Sequence, residues 1–223
     1  MTQVYEVNNI EKIMICVHIV YICNSVAIYT TCDIFFHTIM EHNGISYIWF
    51  WRLKDPNSYL CQWYKSPFKD HTKRTFNCAE QYMMFHKAMT FGDIDIANTI
   101  MMATDAHPSF YKGMGRKVKQ FDFNTWLQVC DDIVLKANLY KFSQNKQLLK
   151  LLLETDTATL VEASAIDRMW GIGYAADSAI ANIDNWGENR LGKILMKVRN
   201  LLKDKNTELE YEVHESIYIG FAD

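Results

Sequence analysis

Glycine is scarce in this chain, and the phosphate-binding loops built on glycine are missing. Among 223 residues there are 9 glycines and 3 prolines. No GxGxxG or GxxxxGK run occurs, which argues against a Rossmann or P-loop enzyme. Cysteine supplies no framework either. Cys16, Cys23, Cys32, Cys61, Cys78 and Cys130 form no CxxC pair and no Cys/His cluster at metal-ligand spacing. They are expected as free thiols in a reducing cytosol, with no structural zinc and no cofactor. Neither sign of charge dominates: a formal net charge of −3 gives no whole-molecule attraction to nucleic acid, although a local basic patch can still bind phosphate. Internal repeats and low-complexity tracts are also absent. What is present is globular, because 49% hydrophobic and 22% charged residues exclude general disorder.

A chain of this length buries one sizeable core, so one domain with an appendage is expected. Residues 1–47 read as an N-terminal extension, 48–203 as the patterned domain and 204–223 as a polar tail. Within the extension, Ile13 to Tyr29 is an apolar run just short of a membrane span, broken by His18, Asn24 and Ser25. Lys12 before it fits a signal anchor, whereas Glu6 and Glu11 spoil a basic flank and no small-residue cleavage site stands out. Its β-branched and aromatic content fits buried strands as well as a helix. A cytoplasmic protein is the expectation.

In the patterned part, Ser46 to Trp51 and Leu60 to Tyr64 are short aromatic runs around the turn signal Asp55 to Ser58, and read as strands or a hairpin. A helix follows over 78–90, with Asn77 as its cap, Glu80 three residues on, and Tyr82, Phe85 and Met89 on the buried face. Helices are predicted over Ile94 to Met102, Ser109 to Lys119, Thr125 to Phe142, Asn145 to Leu153 and Arg190 to Leu202. The last of these should turn Leu191, Ile194, Leu195, Val198 and Leu201 inward. Thr159 to Ala163 reads as a strand leading into a loop. The fold class is α+β, a mostly helical single domain with a small antiparallel β component.

Four constellations carry chemistry. Two helical turns span about 7.2 residues, so Glu80 and Lys87 share one helix face, where an acid and an amine can meet in a cleft; capping by Glu80 and solvation of Lys87 are the plain alternatives. The loop Ala165 to Gly173 sets Trp170 beside two glycines, Gly171 and Gly173, with Asp167 three positions earlier, and a purely structural loop reads the same way. Gly187 to Gly192 opens the last helix, where free N–H groups, Asn189 and Arg190 attract anions; Asn189 as an ordinary N-cap is the other reading. The cation-rich run Lys112 to Lys119 reads as a solvated face, or as a phosphate contact through Arg116 beside Gly115.

Taken together and in order, these segments resemble the YbiA/NADAR family. The matching text is YKSPF (Tyr64 to Phe68), FNCAEQYMMFHKA (Phe76 to Ala88), Gly115 with Arg116, the Trp126 helix, ANLYKFSQN (Ala137 to Asn145), LVEAS (Leu160 to Ser164), DRMWGIG (Asp167 to Gly173) and WGENRLGKILMKVR (Trp186 to Arg199). The match covers about residues 48–203. It implies a compact α+β domain that hydrolyses N-glycosidic bonds, in phosphoribosylamino-pyrimidine intermediates of riboflavin biosynthesis or in ADP-ribosylated guanine bases. It also implies catalytic roles for Glu80, Lys87 and Asp167, and substrate binding by Trp63, Ser66, Arg116, Trp170, Gly171, Asn189 and Arg190. The chain departs from the family at Leu60, Cys61, Gln62 and Trp63, where relatives commonly carry a Ser-Asn pair before an aromatic.

Breaking a ribose C1–nitrogen bond develops oxocarbenium character at C1 and negative charge on the departing base. A carboxylate near C1 and a proton donor near the base answer both. A lysine amine of lowered pKa offers a second route, attacking the ring-opened C1 aldehyde to form a Schiff base. The expected partner is a phosphoribosyl or ADP-ribosyl small molecule, with ADP-ribosylated nucleic acid as a further possibility. The rival classes are a module that binds ADP-ribose or a related nucleotide without hydrolysis, and a membrane-anchored interaction protein.

Overall fold

The computed structural model describes residues 39–205 and a short antiparallel pair, β1 (Val20–Ile22) and β2 (Ser25–Ala27). Apart from that pair, the anchor reading of Ile13 to Tyr29 lies outside the described residues, as do Cys16, Cys23, Cys32 and the tail beyond Lys205. Among the described residues no helix is long and apolar enough to cross a membrane.

β3 (Ile39–His42) and β4 (Ile45–Phe50) form an antiparallel hairpin. Its turn is Asn43–Gly44, with φ of 51° and 76°, the two-residue type whose left-handed residues match strand twist and favour Asn-Gly. The hairpin partner expected for β4, Leu60 to Tyr64, is not a strand. Ser58–Leu60 is a single 3-10 turn that buries Tyr59 and Leu60, so a short apolar run here signalled burial rather than extended structure. β5 (Phe68–Lys69) and β6 (Thr75–Phe76) then pair across a turn that Asp70 holds, accepting from the Arg74 N–H at 2.9 Å and Nε at 3.0 Å.

Five helices follow: α1 (Ala79–Thr90), α2 (Ile94–Met102), α3 (Pro108–Gly115), α4 (Phe123–Gln144) and α5 (Lys146–Glu154). β7 (Thr159–Glu162) next joins β4 in parallel, giving the order β3-β4-β7. The sheet is therefore mixed, since the helical stretch between β4 and β7 is long enough for a parallel return. A short α6 (Ala176–Ala179) and an irregular 3-10 stretch lead to α7 (Arg190–Lys205).

Alternation along the sheet divides two cores. Ile48, Phe50 and Leu160 face the helices, whereas Tyr47, Trp49 and Val161 face α6, Ile172 and Trp186 on the other side. Tyr47 and Trp49 stack at 5.5 Å, and Trp186 meets both edge-on. Two positions depart from the predicted faces. Met89 is 41% exposed because the buried stripe of α1 runs through Met84, Phe85 and Ala88; Leu201 is 39% exposed while Leu202 is buried in its place.

Candidate active site

The site grows from the start of α1. Asn77 is not its cap, and Glu80 does not close a capping box. Cys78 occupies the cap position, and Gln81 takes the reciprocal role, its Oε1 accepting from the Asn77 N–H at 2.7 Å. The Glu80 N–H donates instead to the Gln62 carbonyl at 3.0 Å. With backbone and cap supplied by neighbours, the Glu80 carboxyl is left for other work, although it is buried.

The segment before α1 brings an indole to that carboxyl. Lys141 of α4, fully buried, donates from Nζ to the Cys61 carbonyl at 2.9 Å, and Gln62 Oε1 accepts from Asn138 Nδ2 at 2.9 Å. Burial pushes the Lys141 ammonium down to about 8. Anchored at Cys61 and Gln62, the chain presents Trp63, which favours the charged form of Glu80.

α3 supplies the positive side. Pro108 opens it at N1, where a missing N–H costs nothing. Gly115 closes it against α1, and a Cβ there would lie 2.0 Å from Met84 Sδ. This close approach carries Lys112 and Arg116 to the site. Lys112 Nζ lies 5.9 Å from the Trp63 ring centroid, and both cations act on Glu80. The sequence alone predicts a solvated face for Lys112, because a cation-rich run does not reveal which member packs beside an acid.

Burial pushes the Glu80 carboxyl up to about 7, with Asp167 adding to the rise and Lys112, Trp63 and Arg116 opposing it. Lys87 is half-buried, and desolvation with the Arg116 charge lowers its pKa while Glu80 pulls it back. Its Nζ rests 4.0 Å from the Phe121 ring centroid and 5.7 Å from that of Trp126. The expected acid–amine pair thus shares one electrostatic field without a direct ion pair.

From the sheet side come Asp167 and one residue the sequence reading passed over, Glu162. Asp167 Oδ1 accepts from the N–H groups of Met169 at 3.0 Å and Trp170 at 2.8 Å, which folds the loop and holds Trp170 partly buried against the helical core. Glu162 ends β7, and burial with the charges of Asp167 and Glu80 pushes its carboxyl up to about 8. The available signal was an acid continuing the alternation of a buried strand. Gly171 is fixed by packing, since a Cβ there would meet the Glu162 carbonyl at 2.6 Å.

Three expected binding residues have their polar side-chain atoms paired within the fold. Ser66 is buried, its Oγ donating to the Tyr64 carbonyl at 3.0 Å. Asn189, buried at φ 49°, accepts from the Glu162 N–H at 3.0 Å and donates to the Leu160 carbonyl at 2.9 Å. Arg190 pairs with Glu188 at 2.7 Å and Asp131 at 3.2 Å, in a groove between α4 and α7. Nor is the start of α7 an open anion site. The N–H groups of Gly187, Glu188, Asn189, Arg190 and Leu191 donate to the carbonyls of Ile172, Arg168, Gly171, Met169 and Trp170. The loop after β7 thus consumes the donors that a sequence reading leaves free.

Among the described residues no cluster of His, Cys, Asp or Glu is arranged to hold a metal ion, and Cys61, Cys78 and Cys130 are free buried thiols. What the cluster can do is move protons beside an amine, since Glu80 near 7 is poised between its two forms at neutral pH.

Comparison with known proteins places this arrangement. A protein named as an N-glycosidase from Acanthamoeba polyphaga mimivirus is 43% identical over 144 residues, covering 62% of this chain and 84% of that protein. A riboflavin biosynthesis protein of Vibrio vulnificus is 30% identical over 120 residues, covering 54% of this chain and 30% of that protein. The NMR structure of Escherichia coli YbiA superimposes with a TM-score of 0.60 at 27% identity, covering 75% of this chain and 91% of that one. The NADAR domain is matched over residues 49–203, from β4 into α7, and the chain belongs to the NADAR family.

Proposed function

We propose that the chain is an N-glycosidase that cleaves a ribose C1–N bond to an exocyclic base amine. The substrate class is a phosphorylated ribosylamino-pyrimidine or an ADP-ribosylated base. The observation that carries this reading is the Glu80 carboxyl, buried beside Trp63, Lys112, Arg116 and Asp167 and raised to about 7. A site that only binds has no need of an acid poised to exchange its proton at neutral pH. The names of the mimivirus relative and of YbiA support the reaction class. The name of the Vibrio relative supports the pyrimidine branch of the substrate.

The amine supplies the nucleophile. In the ring-opened sugar, C1 is a protonated imine of the base amine, whose nitrogen keeps the hydrogen it carried in the closed glycosylamine. Neutral Lys87 adds to C1, and its surplus proton passes to Glu80. The C1–N bond to the base then breaks with its electron pair going to the base nitrogen, leaving C1 joined to Lys87 as an imine. Water adds to that imine, restoring the lysine and releasing the C1 aldehyde. Lys87 fits this role because desolvation and Arg116 favour its neutral form. Arg116 and Lys112 would take the phosphate, Asp167 a ribose hydroxyl, and Trp170 and Trp63 the faces of ribose and base.

Borohydride added during turnover of a phosphoribosylamino-pyrimidine should trap sugar on the wild type and none on Lys87→Ala. Turnover with no trapped adduct would remove the covalent step. Binding of ADP-ribose with no turnover of either substrate class would replace the enzyme by a binding module.

A further inference from the structure

The steps above leave one proton without a source, the one that the departing base nitrogen takes up. Glu162 occupies the place from which it could come. In β7 it continues the alternation of Leu160 toward the helical core and lies across from Phe50 in the register. Its backbone is fixed from both directions, the N–H by Asn189 and the carbonyl by the N–H groups of Ser164 at 2.9 Å and Ile172 at 3.0 Å. The side chain is therefore held at the edge of the cluster. Its Oε2 is buried and has no hydrogen-bond partner, although a buried carboxyl oxygen left unpaired is costly. Such an oxygen is open to a partner that enters the site.

We propose that Glu162 is a further catalytic residue of this site, whose unpaired oxygen carries the proton that passes to the base nitrogen as the C1–N bond breaks. The inference rests on the N-glycosidase reading. The electron pair of the bond and the proton of Glu162 arrive at the same nitrogen, so the base leaves as a neutral amine and Glu162 is left as a carboxylate. The water that resolves the Lys87 imine restores the proton.

The neighbouring acids are less suited. Asp167 already spends its Oδ1 on two backbone N–H groups that fold its own loop. Glu80 has Trp63, Lys112 and Arg116 all favouring its charged form. The charges acting on Glu162 are Asp167 from the following loop, Glu80 from α1 and Lys112 from α3, and of these only Lys112 favours ionisation. Glu162 accordingly keeps its proton to about pH 8, while Glu80 gives up its own near 7. Two acids held apart in this way divide the work of acid and base.

The test compares Glu162→Gln with wild type on two substrates, a phosphoribosylamino-pyrimidine and its analogue bearing a nitro group on the pyrimidine ring, whose amine leaves with less help from a proton. On the first, kcat should fall about 100-fold or more and lose its decline above pH 8; on the nitro substrate the fall should be about 10-fold or less. Equal slowing of both substrates, or no slowing, overturns the role. If Glu162→Gln does not fold, Glu162→Asp carries the test: the alkaline decline persists and the first substrate suffers more than the second, whereas equal slowing again overturns the role. A wild type inert toward both pyrimidines and toward an ADP-ribosylated base would instead overturn the hydrolase reading, and this role with it.

Discussion

The start of α1 and the start of α7 look alike as sequence, each a polar motif entering an apolar helix, yet the fold uses them in opposite ways. At α1 the backbone donors are met by Gln62 and Gln81, and the Glu80 carboxyl is left to face Trp63, Lys112 and Arg116. At α7 the side chain of Asn189 is spent on the backbone of β7, and the N–H groups from Gly187 to Leu191 are spent on the loop before it. One terminus hides its backbone and offers a side chain; the other hides both. Candidate chemistry belongs where polar atoms stay unpaired after the fold is complete.

This contrast can be broken or sharpened by substitution. The largest effect is expected at Glu80, where Glu80→Gln should lower kcat about 10²- to 10⁴-fold in steady-state assays. Stability should move the other way. The Glu80 carboxyl is raised from 4.5 to about 7 in the folded chain, so its stabilising neutral form is fully present below about pH 4.5 and lost as pH rises through 7. Thermal melts should therefore show Glu80→Gln above wild type by a few degrees at pH 8 and level with it near pH 4. A variant that melts lower at both values would make Glu80 a structural residue and erase the contrast.

At the other terminus, Asn189→Ala should lose roughly 2–4 kcal/mol in urea unfolding, because two buried backbone groups lose their partner. KM of the folded enzyme should be unchanged, and a raised KM with unaltered stability would return Asn189 to the binding set. Arg116→Ala should raise KM about 10-fold for a phosphorylated riboside and leave the unphosphorylated riboside untouched. Equal changes for both would take phosphate away from Arg116. The smallest effect falls at Arg190, whose pairs with Glu188 and Asp131 lie beside half-exposed carboxylates. Arg190→Ala should cost less than about 1 kcal/mol and leave KM as it is.

The helices were legible because their apolar residues recur at helical spacing, as in Trp126, Cys130, Val134 and Ala137 of α4. The helix of residues 94–102 is found where it was predicted, while α3 ends at Gly115, four residues short of Lys119. The Asn43–Gly44 turn was written in the sequence, yet Leu60 to Tyr64 drew attention as partner for β4 because a short apolar run looks the same in a strand and in a buried turn. The family motifs brought Glu80, Lys87, Asp167, Arg116 and Trp63 into view. They did not separate these from Ser66, Asn189 and Arg190, because that difference lies in which side chains the fold pairs with its own groups. Glu162 and Lys112 were missed for a related reason. Each becomes notable only through groups on other elements, α1 for both, α3 for Glu162 and β7 for Lys112.

The side chain of Asn189 has one more consequence. The outward edge of β7 is a row of peptide groups that a strand from another molecule could join. Asn189 meets the Leu160 carbonyl and the Glu162 N–H, and Ile172 meets the Glu162 carbonyl. One amide side chain and one loop residue together imitate a fourth strand, and they leave a passing chain nothing to zip onto. Loss of that imitation in Asn189→Ala would open a sticky border, and the variant should be as notable for aggregating as for unfolding.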